Sequence, residues 1–448
     1  MYKLRGCIVE AGQRSVKGKR AMSATMIERQ ETRVTIQITV ELSRSMLDSE
    51  AEIQKALNEA GVLATAEALK QFDTDGSPLV MGPTRWTSKG QEPKTYQTPY
   101  GETVVARHVY QRGEGGATFC PLERDARLIL TSTPRFAMQI SHKYGEGPAA
   151  RVKRDLENNH GRKVSDCFIQ DTAAVVASVV AAKEEEWQYQ TPKLDQPVAT
   201  IGLGLDGTCL FMVEQGQRQA MVGTISLYDK AGERLHTIYL AASPEYGKEK
   251  FHQRLSREIK HVQEICPAAK LTAVADGSSD NWSFTRQYTD DECIDFYHAA
   301  SYLDLAAKAK EPRQPMARLA WVEDQRHKLR HDKGHAKVLL EEIQGLSAQG
   351  LSETAQEDLH KAKTYFHNHH VQRNYAERAA AGLPIGSGVT ESACKTLVKM
   401  RMCRGGAKWK EAGAACVLSL RSLLYSDGRW QQFWDKVDRY GFPIALAV

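Results

Sequence analysis

The sequence has no C-x-x-C pair and no cysteine spacing typical of disulfides. Its nine cysteines, at positions 7, 120, 167, 209, 266, 293, 394, 403 and 416, are an odd set spread along 448 residues. That excludes a disulfide framework and predicts reduced thiols. No apolar run is long enough to span a bilayer and no signal peptide is recognisable, which predicts a cytosolic protein. Internal repeats and extended low-complexity segments are absent too, so a repeat array is excluded. Net charge is small: a formal +5 does not by itself argue for a polyanionic partner. Length is ample, since 448 residues can build two or three domains with proper cores. Residues Met1 to Ala21 are basic and unpatterned, and read as a disordered arm or an over-extended start.

Against these absences stands LPIGSGVTESACKTLVKMRM, Leu383 to Met402. Pro384, Gly386 and Gly388 resist helix and Ser387 is a good N-cap, so a helix should begin near Val389 with Glu391 in its first turn. An acid there could simply complement the helix dipole. Two upstream aspartates point further. Asp206, in ATIGLGLDGT, and Asp276, in KLTAVADGSSDNW, each end an apolar run of strand length and precede Gly, as where a buried strand runs out into a loop. Between them, Gln219 to Tyr228 and Arg234 to Ala241 read as strands joined by a turn at Asp229-Lys230-Ala231-Gly232. Lys248 to Cys266 reads as an amphipathic helix with Phe251, Leu255, Ile259 and Val262 on one face. A short strand, Cys293 to Tyr297, follows Asp276.

A hairpin meander followed by a helix crossover is the order of a ribonuclease H-like domain, a fold of the α/β class. In that topology the first strand and the strand after the helix are parallel neighbours, so Asp206 and Asp276 open on the same side, in the crevice where such sheets bind ligands. Three hard carboxylates converging there suit Mg2+ or Mn2+. Two such ions, about 4 Å apart, would activate the attacking oxygen and stabilise the leaving oxygen in phosphoryl transfer.

Asp206, Asp276 and Glu391 resemble the DDE triad of bacterial insertion-sequence transposases, and IGSGVTESACK looks like the Kra group of those elements. The resemblance runs from about Tyr96 onward. It is most specific in Asp295-Phe296-Tyr297-His298, in Leu383 to Lys395 and in GGAKW, Gly405 to Trp409. One departure is Ala275 before Asp276, where relatives are expected to carry Gly; it bears on loop shape more than on metal binding. The resemblance implies an enzyme that binds the double-stranded ends of its own element, frees a 3′-hydroxyl and joins it to target DNA. Asp206 and Asp276 would share one ion, and Glu391 with Asp206 would hold the other. It further implies a homodimer or higher oligomer on DNA, associated with the nucleoid. Two readings oppose it: a non-enzymatic DNA-binding protein derived from a transposase, and a structure-selective metal-dependent nuclease.

Charge is concentrated where the triad ends. Lys395, Lys399, Arg401, Arg404, Lys408 and Lys410 follow one another with no acid between, a face that could neutralise phosphates or simply be solvated. Upstream, Ser43 to Gly61 and Thr65 to Phe72 read as helices, Asp73 to Lys94 as a linker, and Tyr96 to Arg112 as a hairpin. Helices should then start at Pro134, at Pro148 and after the cap Ser165. The last two, with Gly161 at the turn, could form a helix-turn-helix with Asp166 to Val180 and its Gln170 as reader, or simply pack; Arg162 and Lys163 suit phosphate contacts. The expected division is a helical region and linker at 1–95 and a DNA-binding domain of a β-hairpin and a helix-turn-helix-like segment at 96–190, so that a mainly helical DNA-binding region precedes the catalytic domain. A catalytic domain at 197–300 and 380–448 follows, with a helical insertion at 301–379 made of Ser301 to Ala309, Pro315 to His331, Lys333 to Leu346 and Ser352 to His370. His367, His369 and His370 read as a surface helix end rather than a metal site. Asp295 and His298 could support the active site or merely cap a helix near Ala299. Trp282 could stack on a displaced base or fill the core.

Overall fold

The computed structural model describes residues 23–369 and 372–442, so the expectations for Met1 to Ala21 and for His370 lie outside the described residues. The protein is mixed α/β, with three sheets among the described residues. It divides into two compact units, one reaching to Phe136 and including Asp155–Lys163, the other formed by Ala137–Arg154 and the chain from Val164 onward. No helix among the described residues is long and apolar enough to cross a membrane.

The first unit is more sheet than its sequence suggests. β1 (Ala24–Arg29) and β2 (Val34–Ile38) form a hairpin, and α1 (Met46–Lys70) is one continuous helix where two were expected. Gly61 reads as a break but is a point of close approach: a Cβ there would lie 2.3 Å from Cγ of Tyr100. The stretch expected to be a linker is strand instead. β3 (Leu79–Met81) and β4 (Thr84–Gln97) join β5 (Glu102–Arg112) and β6 (Thr118–Phe119) in one antiparallel sheet, followed by α2 (Pro121–Asp125). In β4 only Trp86 and Tyr96 are buried, so its polar sequence lacks the apolar alternation of a half-buried strand. The β4–β5 hairpin pairs Gln97 with Glu102, as expected, but extends back to Trp86 and Arg112. The division between units runs through α3 (Pro134–Glu146) and α4 (Ala149–His160), not at residue 95 or 190.

The second unit carries α5 (Asp166–Lys183) and a five-stranded sheet of β7 (Thr200–Met212), β8 (Gly216–Tyr228), β9 (Arg234–Ala242), β10 (Lys270–Ala275) and β11 (Glu292–Ile294). The spatial order is β11-β10-β7-β8-β9. β7, β8 and β9 are antiparallel, while β10 lies parallel to both β7 and β11. The turn before β9 has the expected form: Asp229 Oδ1 accepts from Ala231 N and Glu233 N, and Gly232 takes φ 83°. α6 (Lys248–Ile265) crosses over from β9 to β10 and buries Phe251, Leu255, Ile259 and Val262. Gly223 of β8 leaves room for them, since a Cβ there would meet Leu255 at 3.1 Å.

Asp206 does not end its strand. It pairs with Val222 in mid-ladder, and β7 continues to Met212 opposite Gly216, whereas β10 stops at Ala275. The Gly after Asp206 marks crowding: a Cβ on Gly207 would lie 2.0 Å from Nε2 of Gln219 on β8. α7 (Ser279–Thr285) follows Asp276, and the strand expected to run to Tyr297 stops at Ile294 because Asp295 caps α8 (Phe296–Lys310). α9 (Pro315–His331), α10 (His335–Gly345) and α11 (Glu353–Asn368) come next, near the expected limits, followed by α12 (Tyr375–Ala380), which was not expected. Val322, Leu329, Leu339, Ile343 and Phe366 from these helices belong to the same buried cluster as the sheet. The chain then reaches α13 (Gly388–Ala393), a π-helical segment Cys394–Lys399, α14 (Met400–Met402), α15 (Glu411–Tyr425) and α16 (Arg429–Tyr440).

Candidate active site

Asp206, Asp276 and Glu391, separated by 185 residues of chain from first to last (391 − 206), line one open cleft of about 670 Å³. His298, Cys394, Lys395, Lys399 and Arg404 line it too.

Glycine brings the Glu391 helix onto the sheet. Thr390 Oγ1 contacts Thr224 Oγ1 of β8 at 2.7 Å, directly over Gly204, where a Cβ would lie 2.0 Å from that hydroxyl. Gly202, one step along the same face, faces Pro384, 3.7 Å from where its Cβ would stand. The loop before α13 is tied down as well. The buried Arg378 donates to Asp291 Oδ1 at 2.8 Å and to Pro384 O at 3.2 Å, and Ile385 O accepts from Phe296 N. Burial would raise the Asp291 carboxyl, but Arg378, Lys270 and Thr272 together outweigh it and hold the group below its ordinary range.

Ser387 precedes α13 as expected but does not cap it with its side chain. Its Oγ donates instead to Glu391 Oε1 at 3.1 Å, and its N–H donates to Asp295 Oδ2. Asp295 is fully buried and also caps α8, accepting from His298 N. Asp295 therefore caps a helix, one of the two roles open to it, and also ties that helix to Ser387, whose hydroxyl donates to Glu391. His298, half-buried, sets its ring edgewise to Tyr302 and Tyr365, which stack on each other at 3.8 Å.

Of the two roles open to Trp282, the structure shows the core one: it is 3 % exposed and offers no stacking surface. One expectation is corrected. His369 is not a surface helix end: it is half-buried, its Nε2 3.1 Å from where a Cβ on Gly277 would stand, beside Asp276. Burial lowers its pKa.

Among the described residues, no three of His, Cys, Asp and Glu stand in an arrangement that would hold a metal ion as they are. The donor set is nevertheless that of a hard cation, three carboxylates on one cleft. Their mutual repulsion is legible in Asp206, whose pKa is raised by burial and further by Asp276, against the lowering pull of Gly207 N–H, the Cys394 thiol and Lys399. Sequence reading missed Cys394, whose Sγ–H donates to Asp206 Oδ2 at 3.3 Å, and missed Gly202 and Gly204. The signal for the glycines was present, because G-x-G inside a strand marks close backbone approach.

A raised carboxyl means that the folded chain binds this proton more tightly than the unfolded chain does. Stability contributed at Asp206 therefore falls as pH rises through its folded pKa. Asp206→Asn is expected to melt above wild type at neutral pH, with the gap closing on acidification toward the unfolded carboxyl value of about 3.9. A gap independent of pH in thermal melts would contradict this.

The basic residues divide by exposure. Lys395, Lys399, Arg404 and Lys408 are exposed, Lys408 lying over the Phe211 ring. Arg401 is not: it lies between the Tyr144 and Trp409 rings and donates to Tyr144 O and Gly147 O. Arg162 is likewise buried, donating to Thr98 O and Gln97 Oε1 over the Phe136 ring. Both were expected to contact phosphate and are structural. Lys163 is exposed and 3.4 Å from Glu157. α5 packs on α15, and its exposed face sets Gln170 beside Asp166 and Asp171, which suits packing better than approach to a phosphate backbone.

It follows that Lys395→Ala, Lys399→Ala and Arg404→Ala should each flatten the slope of log affinity for DNA against log salt by about 0.9 per lost phosphate contact. Arg401→Ala should leave the slope alone and lower the melting temperature. Equal slopes for all four variants would make the exposed face merely solvated.

No family model and no curated protein matches the chain.

Proposed function

We propose that this chain is a metal-dependent DNA transposase with a ribonuclease H-like catalytic domain, formed by residues 197–300 and 380–448 and interrupted by a helical insertion at 301–379. The observation that carries the reading is the meeting of Asp206, Asp276 and Glu391, from a strand, a strand end and a helix, in one cleft edged by exposed lysines and an arginine. The sheet order supports it, with three antiparallel strands followed by a helix crossover to a parallel neighbour.

Asp206 and Asp276 would hold one Mg2+ or Mn2+ and Asp206 with Glu391 a second. Such ions supply charge stabilisation at the attacking and leaving oxygens of a phosphodiester. The chain's own residues do the rest. Lys395, Lys399 and Arg404 draw the DNA backbone to the cleft and fix its register without reading sequence. Ser387 orients Glu391 through its hydroxyl, Asp295 fixes Ser387, and the Gly207 N–H orients Asp206. The products are a freed 3′-hydroxyl and, after its attack on a second duplex, joined DNA, made by a homodimer or higher oligomer on the element ends.

The test is incubation of the purified chain and Mg2+ with labelled duplexes drawn from the DNA that flanks its coding sequence. Specific binding with cleavage is expected. Binding without cleavage would favour a transposase-derived DNA-binding protein, and cleavage without joining a nuclease.

A further inference from the structure

Helix α13 does not continue as an α-helix. From Cys394 to Lys399 the chain is π-wound before α-winding returns at Met400. A π-turn widens the helix and loosens its carbonyls, which then need other donors; such turns cluster at functional sites. The donor here is Arg421 of α15, 2 % exposed. Its Nε donates to Leu397 O at 3.0 Å, its Nη2 to Thr396 O at 2.6 Å and its Nη1 to Gly145 O at 2.6 Å. The widened turn is thus held open by a buried cation placed for it.

Its first residue is Cys394. A buried cysteine ordinarily behaves as a small hydrophobe. This one, 3 % exposed, aims its hydrogen at Asp206 Oδ2, 3.3 Å away on the neighbouring strand. The other oxygen, Oδ1, accepts from Gly207 N at 2.6 Å. With both oxygens held by the protein, the carboxylate cannot turn about its terminal torsion, and each oxygen keeps lone pairs for the cleft.

We propose that Cys394 is a positioning residue for Asp206: the π-wound turn braced by Arg421 delivers its S–H to Oδ2 and fixes the carboxylate in the orientation that faces Asp276 and Glu391. The proposal rests on the carboxylate-site reading above. Partners that orient a metal ligand typically contribute 10–100-fold to metal affinity or activity.

The experiment is a Mn2+ titration of the full-length, DNA-free chain followed by electron paramagnetic resonance of the free ion, with cleavage measured against Mg2+ concentration in parallel. Cys394→Ala removes the donor and Cys394→Ser keeps one. Half-saturation by Mn2+ should rise about tenfold or more in Cys394→Ala, with a matching rise in Mg2+ requirement, and Cys394→Ser should recover most of the loss. Should Cys394→Ala fail to fold, Cys394→Val, which fills the site without a donor, carries the same expectation. Lower melting temperatures with Mn2+ affinity unmoved would make Cys394 a packing residue and overturn the proposal. A wild-type chain that binds no Mn2+ would overturn the carboxylate reading itself, and this proposal with it.

Discussion

Asp206→Asn, Asp276→Asn and Glu391→Gln should each reduce DNA cleavage more than about a hundredfold, beyond the usual loss from an outer partner of a metal ligand, while DNA binding stays nearly unchanged. Each substitution removes a ligand charge and almost no volume. Asp276 and Glu391 are exposed, so little packing depends on them, and at position 206 an Asn oxygen can still accept from Gly207 N–H. DNA retention is assigned to Lys395, Lys399 and Arg404, which the substitutions leave in place. Gel-shift and cleavage assays on the same preparations separate the two quantities. Substantial cleavage by any one variant would remove that residue from the set.

Gly204→Ala should have the largest effect of any single methyl group in the second unit. Its Cβ would lie 2.0 Å from Thr390 Oγ1 and 2.8 Å from Thr224 Oγ1, so either β7 or α13 must move. Overpacking of this kind costs about 1–3 kcal/mol, and the shift would carry Glu391 away from Asp206. Chemical denaturation should show the loss, and cleavage should fall with it. Because Thr390 supplies the nearest atom, adding Thr390→Ala to Gly204→Ala should restore part of the stability. Additive losses in the double variant would mean that the crowding is relieved elsewhere.

The second unit was more legible in sequence than the first, and the reason is burial. β8, β9, α6 and β10 bury long apolar runs or one clean face, and their limits were read nearly as they stand. β4 buries only Trp86 and Tyr96 and carries Lys, Glu, Gln and Pro, so its backbone pairing leaves little apolar trace and it read as linker. Glycine misled twice in the same way. Gly61 and Gly207 read as ends of elements, yet each is a place where the side chain of Tyr100 or Gln219 crosses the backbone of a continuous element. The three acids were found from their local settings, but the cysteine beside Asp206 was not. Cys394 and Asp206 lie 188 residues apart, and only the packing of the π-wound segment on β7 brings them together. The buried arginines 162 and 401 show the converse limit: a basic residue in a basic run looks like a phosphate contact until rings and carbonyls are seen around it.

The most direct measurement is strand joining from pre-cut DNA. A labelled duplex with an exposed 3′-hydroxyl, drawn from the flanking DNA, is incubated with a second duplex and the purified chain, with Mg2+ or with chelator. Joined product is expected from wild type in Mg2+, none in chelator, and none from Glu391→Gln in either. Joining that persists in chelator, or at wild-type level in Glu391→Gln, would contradict a carboxylate-held metal site for phosphoryl transfer.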